Sequence, residues 1–588
     1  MQSVRPQPQW SVRGYDARDA ATLAARLGVS HVVAGLLLAR GLSNEEAARK
    51  LLHPSLDQLH DPSLMLGMSD AAARVLRAVD AGEQILIYGD YDVDGTTGTV
   101  VLRRVLQLLG AETRFHVPHR FTEGYGIRQD VLERAKTEGC TLVISVDCGI
   151  RAHEPLEWAR ANGLDVIVTD HHLPDAEEGA PPAYAVLNPN QRGCRYPDKH
   201  LAGVGVAFKL AHAVLRERGR ESLVKGFLKV VAIGTVADVA PLVGENRAIV
   251  ALGLRDIVNA TNPGLRALME VAGCGDGRDM RCSDLGFRLG PRINAAGRMD
   301  AARAVVELFE TNDEGEARRL AAHLDARNRE RQVMQRTITA RAVAEYEQSG
   351  DCGAVAVIAG DGWHRGVIGL AASRIAEKLG RPCVVISLEG DLGHGSARSV
   401  EGYHLLDGLT ACADLFETFG GHAQAAGLTI RREHIPELRR RLDEHARQFL
   451  NVASKLKTEF TSEFTSECAP VVKVDAELPT TALTPALADE LERLEPFGAG
   501  WPRPVFLSRD VRVTKEARVL KERHLKFEVA AGVDARPLEV LWWGGAETSA
   551  ATPRAGDRIE LAYAVETNLW RGEKRLQLIV EEMKAGKS

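Results

Sequence analysis

The sequence lacks the features that would mark a disulfide-bonded, zinc-binding or membrane protein. Its nine cysteines are scattered, and no two of them form a Cys-x-x-Cys pair. This argues against a zinc site and a disulfide framework, and it favours a reducing compartment. No apolar run reaches the ~18 residues that a membrane-spanning helix needs, and the first residues contain no apolar secretion signal. We therefore expect a cytoplasmic protein without membrane contact.

Aromatic residues and net charge are also scarce. Phe, Tyr and Trp make up 5% of the chain, and the formal net charge is −6. A negative net charge gives no overall attraction to nucleic acid, so a polyanionic partner would have to be held by local clusters of Lys and Arg. The 588 residues are too many for one hydrophobic core, and roughly three or four domains are expected.

The region from residue 61 to 265 alternates short apolar runs with longer helical patterns, which is typical of a doubly wound parallel α/β sheet. In such sheets, ligands bind beyond the carboxyl ends of the strands. Strands are predicted at 84–88, 113–117, 141–147, 165–170 and 183–188, and helices near 96–109 and 153–162.

The rest of the chain predicts a second α/β lobe, joined to the first by a long helix, and a C-terminal OB-like β-barrel. The N-terminal region reads as a helical lead-in, with Ser43 as a candidate N-cap of the helix at 43–52. The repeat TEFTSEFTSE has neither helical nor strand periodicity and indicates a linker. The expected divisions are a helical region (1–60), a first α/β domain (61–265), a helical connector (266–349), a second α/β domain (350–450), a linker (451–469) and the OB-like domain (470–588).

Acidic and imidazole side chains collect at four places that we expect to be strand ends. They are Asp90, Asp92 and Asp94 in YGDYDVDG, Asp147 after the strand at 141–147, His171 and His172 in TDHH, and Asp238 near the end of KVVAIGTVADVAPL. Parallel strand ends face one crevice, where so much unpaired negative charge would be unfavourable without bound cations. Oxygen ligands with one or two imidazoles suit Mn²⁺ or Mg²⁺. Two ions about 3.5–4 Å apart would serve phosphoryl chemistry.

Each of these features has a simpler explanation when it is taken alone. An Asp-x-Asp pair is common in turns, a His-His pair is usually polar packing, and an aspartate after a strand is often a helix N-cap. Their order and their shared placement favour a two-cation site over these separate explanations. The sequence also has no G-x-S-x-G motif that would indicate a covalent nucleophile.

The motifs DYDVDG, VDCG, DHH and ADVAPL, in this order, resemble the four motifs of the DHH phosphoesterase superfamily. GHGSARS (393–399) and GGHAQAAG (420–427) resemble the glycine-rich signatures of its DHHA1 domain. With GPRINAAGRMD (290–300) and HRFTEGYG (119–126), essentially the whole chain is similar to the RecJ family of bacterial single-strand-specific 5′→3′ DNA exonucleases. The resemblance implies release of 5′-mononucleotides from single-stranded DNA by two-metal hydrolysis, in recombinational and mismatch repair.

The same resemblance implies a role for each residue of the four motifs. Asp90 and Asp92 would hold one cation, and Tyr88 stands where a related branch has a histidine ligand, so that Asp90 replaces it. Asp147 would bridge the two cations, and His172 would contact the scissile phosphate. The implied set is Asp90, Asp92, Asp94, Asp147, His171 and Asp238 as metal ligands, and Asp147, His171 and His172 as catalytic residues.

In the second lobe, Ser396 and Arg398 match positions that the resemblance assigns to a 5′-terminal phosphate. Arg120 and Arg292 are expected to be partners in the same pocket, and His422 is expected to contact DNA. For any one of these side chains, a solvated surface position or local packing is the ordinary alternative.

Two other functions would use the same motifs. A phosphatase of short oligonucleotides or small phosphoesters would need only the two lobes, and a non-catalytic DNA-binding scaffold would have lost metal ligands. The OB-like segment and the basic runs at 318–341 and 509–526 favour a polymeric substrate. By resemblance, we expect a single-strand-binding protein and a RecQ-type helicase as partners, and a monomeric protein.

Overall fold

The computed structural model describes residues 8–120, 122–275, 279–298, 302–348, 353–459, 471–530, 537–548, 552–570 and 573–585. Within these ranges the strands form two five-stranded sheets, one six-stranded sheet and one two-stranded pair. Short 3-10 turns occur at Leu56–Gln58, Pro62–Leu64, Glu221–Phe227, Ala413–Leu415, Arg432–His434 and Thr480–Ala482.

The N-terminal region consists of a strand and three helices: β1 (Gln9–Val12), α1 (Ala17–Leu27), α2 (His31–Ala39) and α3 (Glu45–Leu52). The cap predicted at Ser43 is wrong by one residue. Asn44 is the N-cap of α3, because its side chain accepts a hydrogen bond from the Ala47 amide at 3.1 Å. Among the described residues, no single helix is long and apolar enough to cross a membrane, although the bent pair α1 and α2 reaches that length and composition together.

The first lobe is built on a parallel sheet with the order β3-β2-β4-β5-β6. Its central strands are buried on both faces, which is why they read as continuous apolar runs. The prediction of a doubly wound parallel sheet is confirmed. The elements are α4 (Met68–Ala81), β2 (Gln84–Tyr88), α5 (Val93–Leu108), β3 (Thr113–His116), α6 (Gln129–Thr137), β4 (Cys140–Val146), α7 (His153–Ala161), β5 (Asp165–Thr169), β6 (Ala185–Leu187), α8 (Gly203–Glu217), α9 (Leu228–Ala237) and α10 (Gly244–Ile257).

The strand end that was expected before Asp238 is wrong. This apolar stretch is helix α9, and Asp238 is its C-cap residue. Helix α9 packs against α5, α8 and α10, and six of its residues are buried. A helix enclosed on nearly all sides has no polar face, so its sequence shows no 3.6-residue period that would separate it from a buried strand.

Helices connect the two lobes. They are α11 (Pro263–Val271), α12 (Cys282–Asp284), a π-helical turn (Leu285–Leu289), α13 (Gly290–Arg298), α14 (Ala302–Glu310) and α15 (Glu314–Gln348). Helix α15 has 35 residues, which corresponds to roughly 50 Å of helix. It packs against α11, α13 and α14 at one end and against the second lobe at the other.

The second lobe contains a mixed sheet with the order β10-β11-β9-β8-β7, in which only β7 and β8 are parallel. Its last helix continues nine residues beyond the boundary expected at 450, and residues 460–470 of the predicted linker lie outside the described residues. The elements are β7 (Ala356–Asp361), α16 (Arg365–Leu379), β8 (Cys383–Glu389), β9 (Leu392–Arg398), α17 (Leu405–Thr410), β10 (Phe416–Gly421), β11 (Ala425–Arg431) and α18 (Ile435–Glu459).

The C-terminal domain is a five-stranded barrel, closed by pairing of its first and fourth strands, so the predicted OB-like barrel is confirmed. Phe506, Phe527 and Tyr563 fill its interior, and residues of α1, α2 and α3 belong to the same hydrophobic cluster. The N-terminal helices therefore pack on the barrel. The elements are β12 (Val471–Val474), which pairs with β1, β13 (Ala476–Glu477), α19 (Pro485–Glu492), β14 (Phe506–Leu520), β15 (His524–Val529), β16 (Leu538–Trp542), α20 (Gly545–Thr548), β17 (Arg558–Trp570) and β18 (Glu573–Ala585).

Candidate active site

Three carboxylates lie where β2 ends and α5 begins. Asp92 is the N-cap of α5, and its Oδ1 accepts a hydrogen bond from the Gly95 amide at 3.0 Å. Asp90 packs against the same turn, because a Cβ at Gly95 would lie 2.6 Å from the Asp90 nitrogen. The small residue at position 95 thus lets the chain fold back, and it brings the Asp90 and Asp92 side chains to one edge of the sheet.

Asp94 faces the start of helix α8. Its two carboxylate oxygens accept hydrogen bonds from the amides of Gly203 at 2.6 Å and Val204 at 2.7 Å. These amides belong to the first turn of the helix, where backbone N–H groups have no partner within the helix and favour negative charge. The position of Asp94 is therefore set by an element more than a hundred residues away in the chain.

Asp147 follows β4 in a strained conformation. Its φ is 62°, in the left-handed region that residues other than glycine rarely adopt. Such strain persists where the surrounding structure imposes it, and it is common at functional sites. Gly203 lies directly against this side chain, because a Cβ there would be 2.5 Å from Asp147 Oδ1.

Asp170 holds the two histidines that follow β5. It is fully buried, and its Oδ1 accepts hydrogen bonds from the amides of His171 and His172 and from His172 Nδ1 at 2.7 Å. Its Oδ2 accepts a further bond from the Ile150 amide at 2.9 Å. The sequence pattern singled out the two histidines, but the aspartate before them is the residue that orients the ring of His172.

The predicted ligands converge on one place. His171 Nε2 lies 3.2 Å from Asp147 Oδ1, 3.8 Å from Asp94 Oδ2 and 3.9 Å from Asp238 Oδ2. Three overlapping groups of side chains could each hold a cation, because the ligand atoms within each group lie no more than 4.8 Å apart. The groups are Asp90, Asp92 and Asp147; Asp94, His171 and Asp238; and Asp147, His171 and His172. Asp147 and His171 each belong to two of these groups. Of the two, only the carboxylate of Asp147 has two ligand oxygens, which makes it the candidate for a ligand shared between two cations.

The residues present fit divalent cations. Asp90 Oδ1, Asp147 Oδ1 and His171 Nε2 are buried and have no hydrogen-bond partner among the residues that the structure describes. A buried polar atom without a partner is costly, and native proteins usually compensate it. Carboxylate oxygens with one imidazole nitrogen are the donor set that Mn²⁺ and Mg²⁺ accept. Cations bound here would satisfy all three atoms.

The aspartates carry strongly perturbed pKa values in the absence of cations. Burial, reinforced by the charge of Asp92, raises the pKa of Asp90 to about 8 and that of Asp238 to about 7. Burial and neighbouring carboxylates also raise the pKa values of Asp94 and Asp147 well above the ordinary range. Positive charge at this site would reverse these shifts, because it would stabilise the ionised carboxylates.

The two histidines differ in protonation. Burial, followed by the charge of His172, lowers the pKa of His171 to about 4, so that its imidazole is neutral and able to bind a metal. Burial alone would lower the pKa of His172 too. Its hydrogen bond to the Asp170 carboxylate and the charge of that group outweigh this effect, and the pKa of His172 lies above its ordinary value. His172 is thus suited to donate a hydrogen bond to an anion.

Four arginines gather beside these carboxylates. Arg120 lies over the ring of Tyr91, with its Cζ 4.8 Å from the ring centroid. Burial, and then the charges of Arg120, Arg331 and Arg398, lower the pKa of Arg298 to about 10. Arg398 donates to Ser396 Oγ at 3.1 Å. Within the described residues, no carboxylate forms a salt bridge with any of the four, so their mutual repulsion favours a bound anion such as a phosphate.

Arg292 does not belong to this pocket, which corrects the prediction that it does. Its Nε donates to Asp325 at 2.9 Å, and its other two nitrogens donate to the carbonyls of Arg288 and Val271. These contacts hold α13 to α15 and α11. Arg298, at the end of the same helix, takes the place that was assigned to Arg292. It lies within the quoted motif GPRINAAGRMD, and only the orientation of the helix distinguishes the two arginines.

The structure places the other predicted DNA-binding residues at one end of the second lobe. Ser396 and Arg398 are on β9, and Arg398 is paired in register with Ala425 of β11. His422 is exposed in the turn that leads from β10 to β11, and its Nδ1 accepts a hydrogen bond from the Gln424 amide at 3.3 Å. The His422 amide also donates to the Ala425 carbonyl at 2.9 Å, and Ala425 is the register partner of Arg398, so His422 lies near the arginine pocket and is open to solvent.

The two basic runs differ in the structure. In α15, four of the seven arginines between 318 and 341 form ion pairs with acids three or four residues away, while Arg331 belongs to the arginine pocket. In the barrel, Trp542 is buried, whereas Trp543 is 59% exposed and contacts the ring of His524 at 4.8 Å. Trp543 is therefore a surface aromatic close to the second basic run, and only the structure distinguishes it from the buried Trp542.

Three family models match the chain. The DHH family N-terminal domain matches residues 84–235, the DHHA1 domain matches residues 350–448, and the RecJ OB domain matches residues 474–582. The first match contains the predicted strands and most of the converging acids, and the second contains Ser396, Arg398 and His422.

Curated relatives and solved structures resemble the chain over most of its length. The single-stranded-DNA-specific exonuclease RecJ of Bacillus subtilis is 37% identical over 576 residues, covering 98% of this chain and 70% of that protein. The Escherichia coli protein of the same name is 36% identical, covering 88% of this chain and 90% of that protein. A crystal structure of RecJ in complex with Mn²⁺ from Thermus thermophilus superposes with a TM-score of 0.81 at 30% identity, covering 100% of this chain and 81% of that one. The crystal structure of RecJ in complex with Mg²⁺ from the same organism superposes with a TM-score of 0.76 at 29% identity, covering 99% of this chain and 79% of that one.

Proposed function

The chain belongs to the RecJ family of single-stranded-DNA-specific exonucleases within the DHH phosphoesterases, and from this premise we propose that it releases 5′-mononucleotides from single-stranded DNA in the 5′→3′ direction. One observation carries the proposal. The three overlapping ligand groups, two of which contain Asp147, lie next to a pocket of four arginines that form no salt bridge with an acid among the described residues. This arrangement pairs a phosphodiester-cleaving centre with a neighbouring site for a second phosphate.

Mn²⁺ or Mg²⁺ is the cofactor that fits the site. Two such ions, held by these residues, would supply activation of a water molecule as the nucleophile and neutralisation of charge on the phosphoryl oxygens and on the departing 3′-oxygen. We assign Asp90 and Asp92 to one ion, Asp94, His171 and Asp238 to the other, and Asp147 to both.

The protein's own groups orient the reaction. Asp170 fixes the ring of His172 through Nδ1, and the Tyr125 hydroxyl lies 3.1 Å from the same nitrogen. This leaves Nε2 of His172 for the scissile phosphate, where a protonated imidazole stabilises the negative charge that develops. Asp94 is held by two backbone amides and Asp147 by its strained backbone, so the ligands need little rearrangement when substrate binds.

The arginine pocket accounts for the 5′→3′ direction of degradation. A 5′-terminal phosphate has one more negative charge and one more free oxygen than an internal phosphodiester, so a pocket of four guanidinium groups prefers it. Arg120 connects the two sites, because its charge acts on both Asp90 and Arg398. A strand anchored by its 5′ phosphate would place the adjacent phosphodiester at the metal centre. Ser396 and His422 add polar contacts at the same end of the second lobe.

The wider roles follow from the family and from the barrel. We propose action in recombinational and mismatch repair in the cytoplasm, as a monomer that cooperates with a single-strand-binding protein and a RecQ-type helicase. The surface aromatic Trp543 and the nearby basic residues of the barrel support a long single-stranded substrate. A phosphatase of short oligonucleotides would have no use for this domain.

The test uses single strands labelled at either end, with a 5′ phosphate or a 5′ hydroxyl, in Mn²⁺ or Mg²⁺. Stepwise release of mononucleotides from the 5′ end, abolished by EDTA and by Asp147→Ala, is the expected result. Release from the 3′ end would contradict the polarity. Activity confined to very short oligonucleotides or small phosphoesters would favour the phosphatase, and binding without cleavage would favour a scaffold.

A further inference from the structure

A cavity of about 480 Å³ lies between the first lobe and the C-terminal domain, beside the metal centre. One wall is the end of α9 and includes Val239, the residue after Asp238. The opposite wall is the segment of the C-terminal domain that contains Phe497, and Phe287 of the π-helical turn forms a third side. The volume is typical of small-molecule sites, which span about 300–1,000 Å³.

Phe287 presents its ring to this cavity. The side chains of Leu285 and Leu289 are fully buried, whereas Phe287 between them is 82% exposed. The wide π-helical turn directs it away from the core, and such turns often accompany functional sites. No aromatic or cationic partner of this ring occurs among the residues that the structure describes. A phenyl ring exposed to this degree gains stability when a flat apolar ligand covers it.

The opposite walls are already formed. The Leu242 amide donates to the Ala499 carbonyl at 2.7 Å, which fixes the C-terminal domain to the segment after Asp238. The ring of Phe497 is covered by Arg503, whose Cζ lies 5.5 Å from its centroid. Val239 is 68% exposed and has a φ of 60°, a strained conformation for a β-branched residue. The cavity is therefore preorganised, and Phe287 is its available aromatic face.

The charges around the cavity cancel. Arg503 pairs with Glu566 at 2.6 Å and lies 3.8 Å from Glu495, and Arg281 lies 4.0 Å from the same glutamate. Among the described residues that line the cavity, both arginines have a glutamate partner, so a phosphate would find no unpaired cation, in contrast to the arginine pocket. An uncharged, flat group is the ligand that suits an exposed phenyl ring with neutralised surroundings.

We propose that this cavity receives a base of the substrate strand, which stacks on Phe287. The inference rests on the proposed function, because the strand must then run from the metal centre towards the C-terminal barrel. The cavity lies on that path, since it is lined by Ala237 and Val239 on either side of Asp238 and by the segment that precedes the barrel. Stacking tolerates every base, since each has an aromatic face, and it therefore suits an exonuclease that acts regardless of sequence. Phe287 is a binding residue in this role and does not touch the reacting phosphate.

The test combines a substitution at Phe287 with strands that lack one base. Kinetics of first-nucleotide release are measured for 5′-phosphorylated strands with a single abasic site at successive positions from the 5′ end. The proteins are the natural chain, Phe287→Ala, Phe287→Trp and the matched control Phe449→Ala, which removes another exposed phenylalanine from the second lobe. Because Phe287 is exposed, its substitution should leave the melting temperature unchanged.

We expect Phe287→Ala to raise KM for the intact strand about 10-fold, with kcat nearly unchanged. In the natural protein, one abasic position should produce the same increase, and Phe287→Ala should add nothing to it. Phe287→Trp should behave as the natural protein, and Phe449→Ala should have no effect.

An unchanged KM for Phe287→Ala, or penalties that simply multiply at every abasic position, would overturn the inference. A concentration-dependent dimer that disappears in Phe287→Ala while KM stays constant would also overturn it, because the cavity would then serve self-association. If the natural protein cleaves no strand, the proposed function fails. Fluorescence anisotropy of the same strands in EDTA then decides the stacking by itself, through the same loss of affinity in Phe287→Ala and at one abasic position.

Discussion

Arg292 and Arg298 lie six residues apart on one helix and have different environments. Six residues correspond to roughly 240° around the helix axis, so one faces α15 and α11 and the other faces the second lobe. All three nitrogens of the Arg292 guanidinium donate hydrogen bonds, to Asp325 and to two backbone carbonyls. Arg298 donates to the Gly366 carbonyl at 3.0 Å, and the charged side chains of Arg120, Arg331 and Arg398 lie near it. The orientation of a single helix separates a packing residue from a candidate phosphate ligand.

Replacing Arg298 should remove the preference for a 5′ phosphate. In Arg298→Ala, we expect KM for a 5′-phosphorylated strand to rise about 10- to 100-fold, the range for a lost charged hydrogen bond. KM for a 5′-hydroxyl strand should change little. Arg292→Ala is the matched control, and it should lower the melting temperature through the lost Asp325 contact without changing the ratio of the two KM values. Equal losses on both strands in Arg298→Ala would refute the assignment.

The aspartates predict a pH-dependent stability in metal-free protein. The pKa values of Asp90, about 8, and Asp238, about 7, are raised by burial in the folded state, whereas an unfolded aspartate has a pKa of about 3.9. The folded protein thus holds more protons between these limits, and the stability that these groups contribute is lost as pH rises through the folded values.

The melting temperature in EDTA should therefore fall between pH 6 and pH 9, and Mn²⁺ should suppress most of that fall. The stabilisation by Mn²⁺ should be larger at pH 9, because protons no longer compete for the carboxylates. Asp90→Asn should flatten the fall in EDTA. Parallel pH profiles with and without Mn²⁺ would show that the carboxylates are not its ligands.

At the scale of elements, the start of α8 supports the metal centre. Gly203 donates to Asp94, and its missing side chain leaves room for Asp147. The strand ends by themselves supply the carboxylates, but the helix determines where two of them point.

Gly203→Ala should therefore impair catalysis without unfolding the protein. A Cβ at this position would lie 2.5 Å from Asp147 Oδ1, so the carboxylate would have to move. A misplacement of about 1 Å can reduce kcat about 100-fold. Alanine is otherwise favourable in a helix. Gly226→Ala provides the control, because a Cβ at Gly226 would lie more than 4 Å from every other side chain and backbone atom that the structure describes around it. Measurements of kcat, Mn²⁺ affinity by calorimetry and melting temperature would check this, and normal kcat in Gly203→Ala would refute it.

Local sequence predicted the strands of the first lobe well and α9 poorly. The strands β2, β4 and β5 agree with the prediction to within a residue at each end, because short apolar runs bounded by turn residues are a local signal. Helix α9 has no local signal, since it is enclosed by three other helices. Asp238 still reaches the other ligands, although from the end of a helix.

At the scale of the whole molecule, Arg247 joins three parts of the chain. This buried side chain of α10 donates to the carbonyls of Leu51, Leu494, Glu495 and Pro496. Its guanidinium also lies 5.5 Å from the ring centroid of Trp501. The first lobe, the N-terminal helices and the C-terminal domain therefore meet at one residue.

Arg247→Leu should loosen this junction. Four carbonyls would lose their donor, and a loss of about 3 kcal/mol or more in the free energy of unfolding is expected. Hydrogen exchange should accelerate in residues 494–503 and in α3, and remain unchanged in the second lobe. Arg266→Leu, which removes an exposed pair with Glu314 and a long, exposed hydrogen bond to the Thr261 carbonyl, should cost at most about 1 kcal/mol. Unchanged exchange at 494–503 would contradict the role of Arg247.

The sequence alone determined the parallel sheet, the barrel and the positions of the acids and histidines, because strand periodicity and the residues that follow each strand are local properties. The resemblance of its motifs to those of the family also predicted that Ser396, Arg398 and Arg120 lie near one another. The assigned roles of these residues stay predictions until the variants are measured.

Only the tertiary structure decided the remainder. It selected Arg298 over Arg292, it made the stretch before Asp238 a helix, and it placed α1 to α3 on the C-terminal barrel. It also brought Phe287 and Phe497 to one cavity beside Asp238. These outcomes depend on contacts between residues that are distant in the chain or on the rotation of a helix about its axis. Long-range contacts and helix rotations leave no periodic pattern in the sequence, because the same local residues are compatible with more than one arrangement in space.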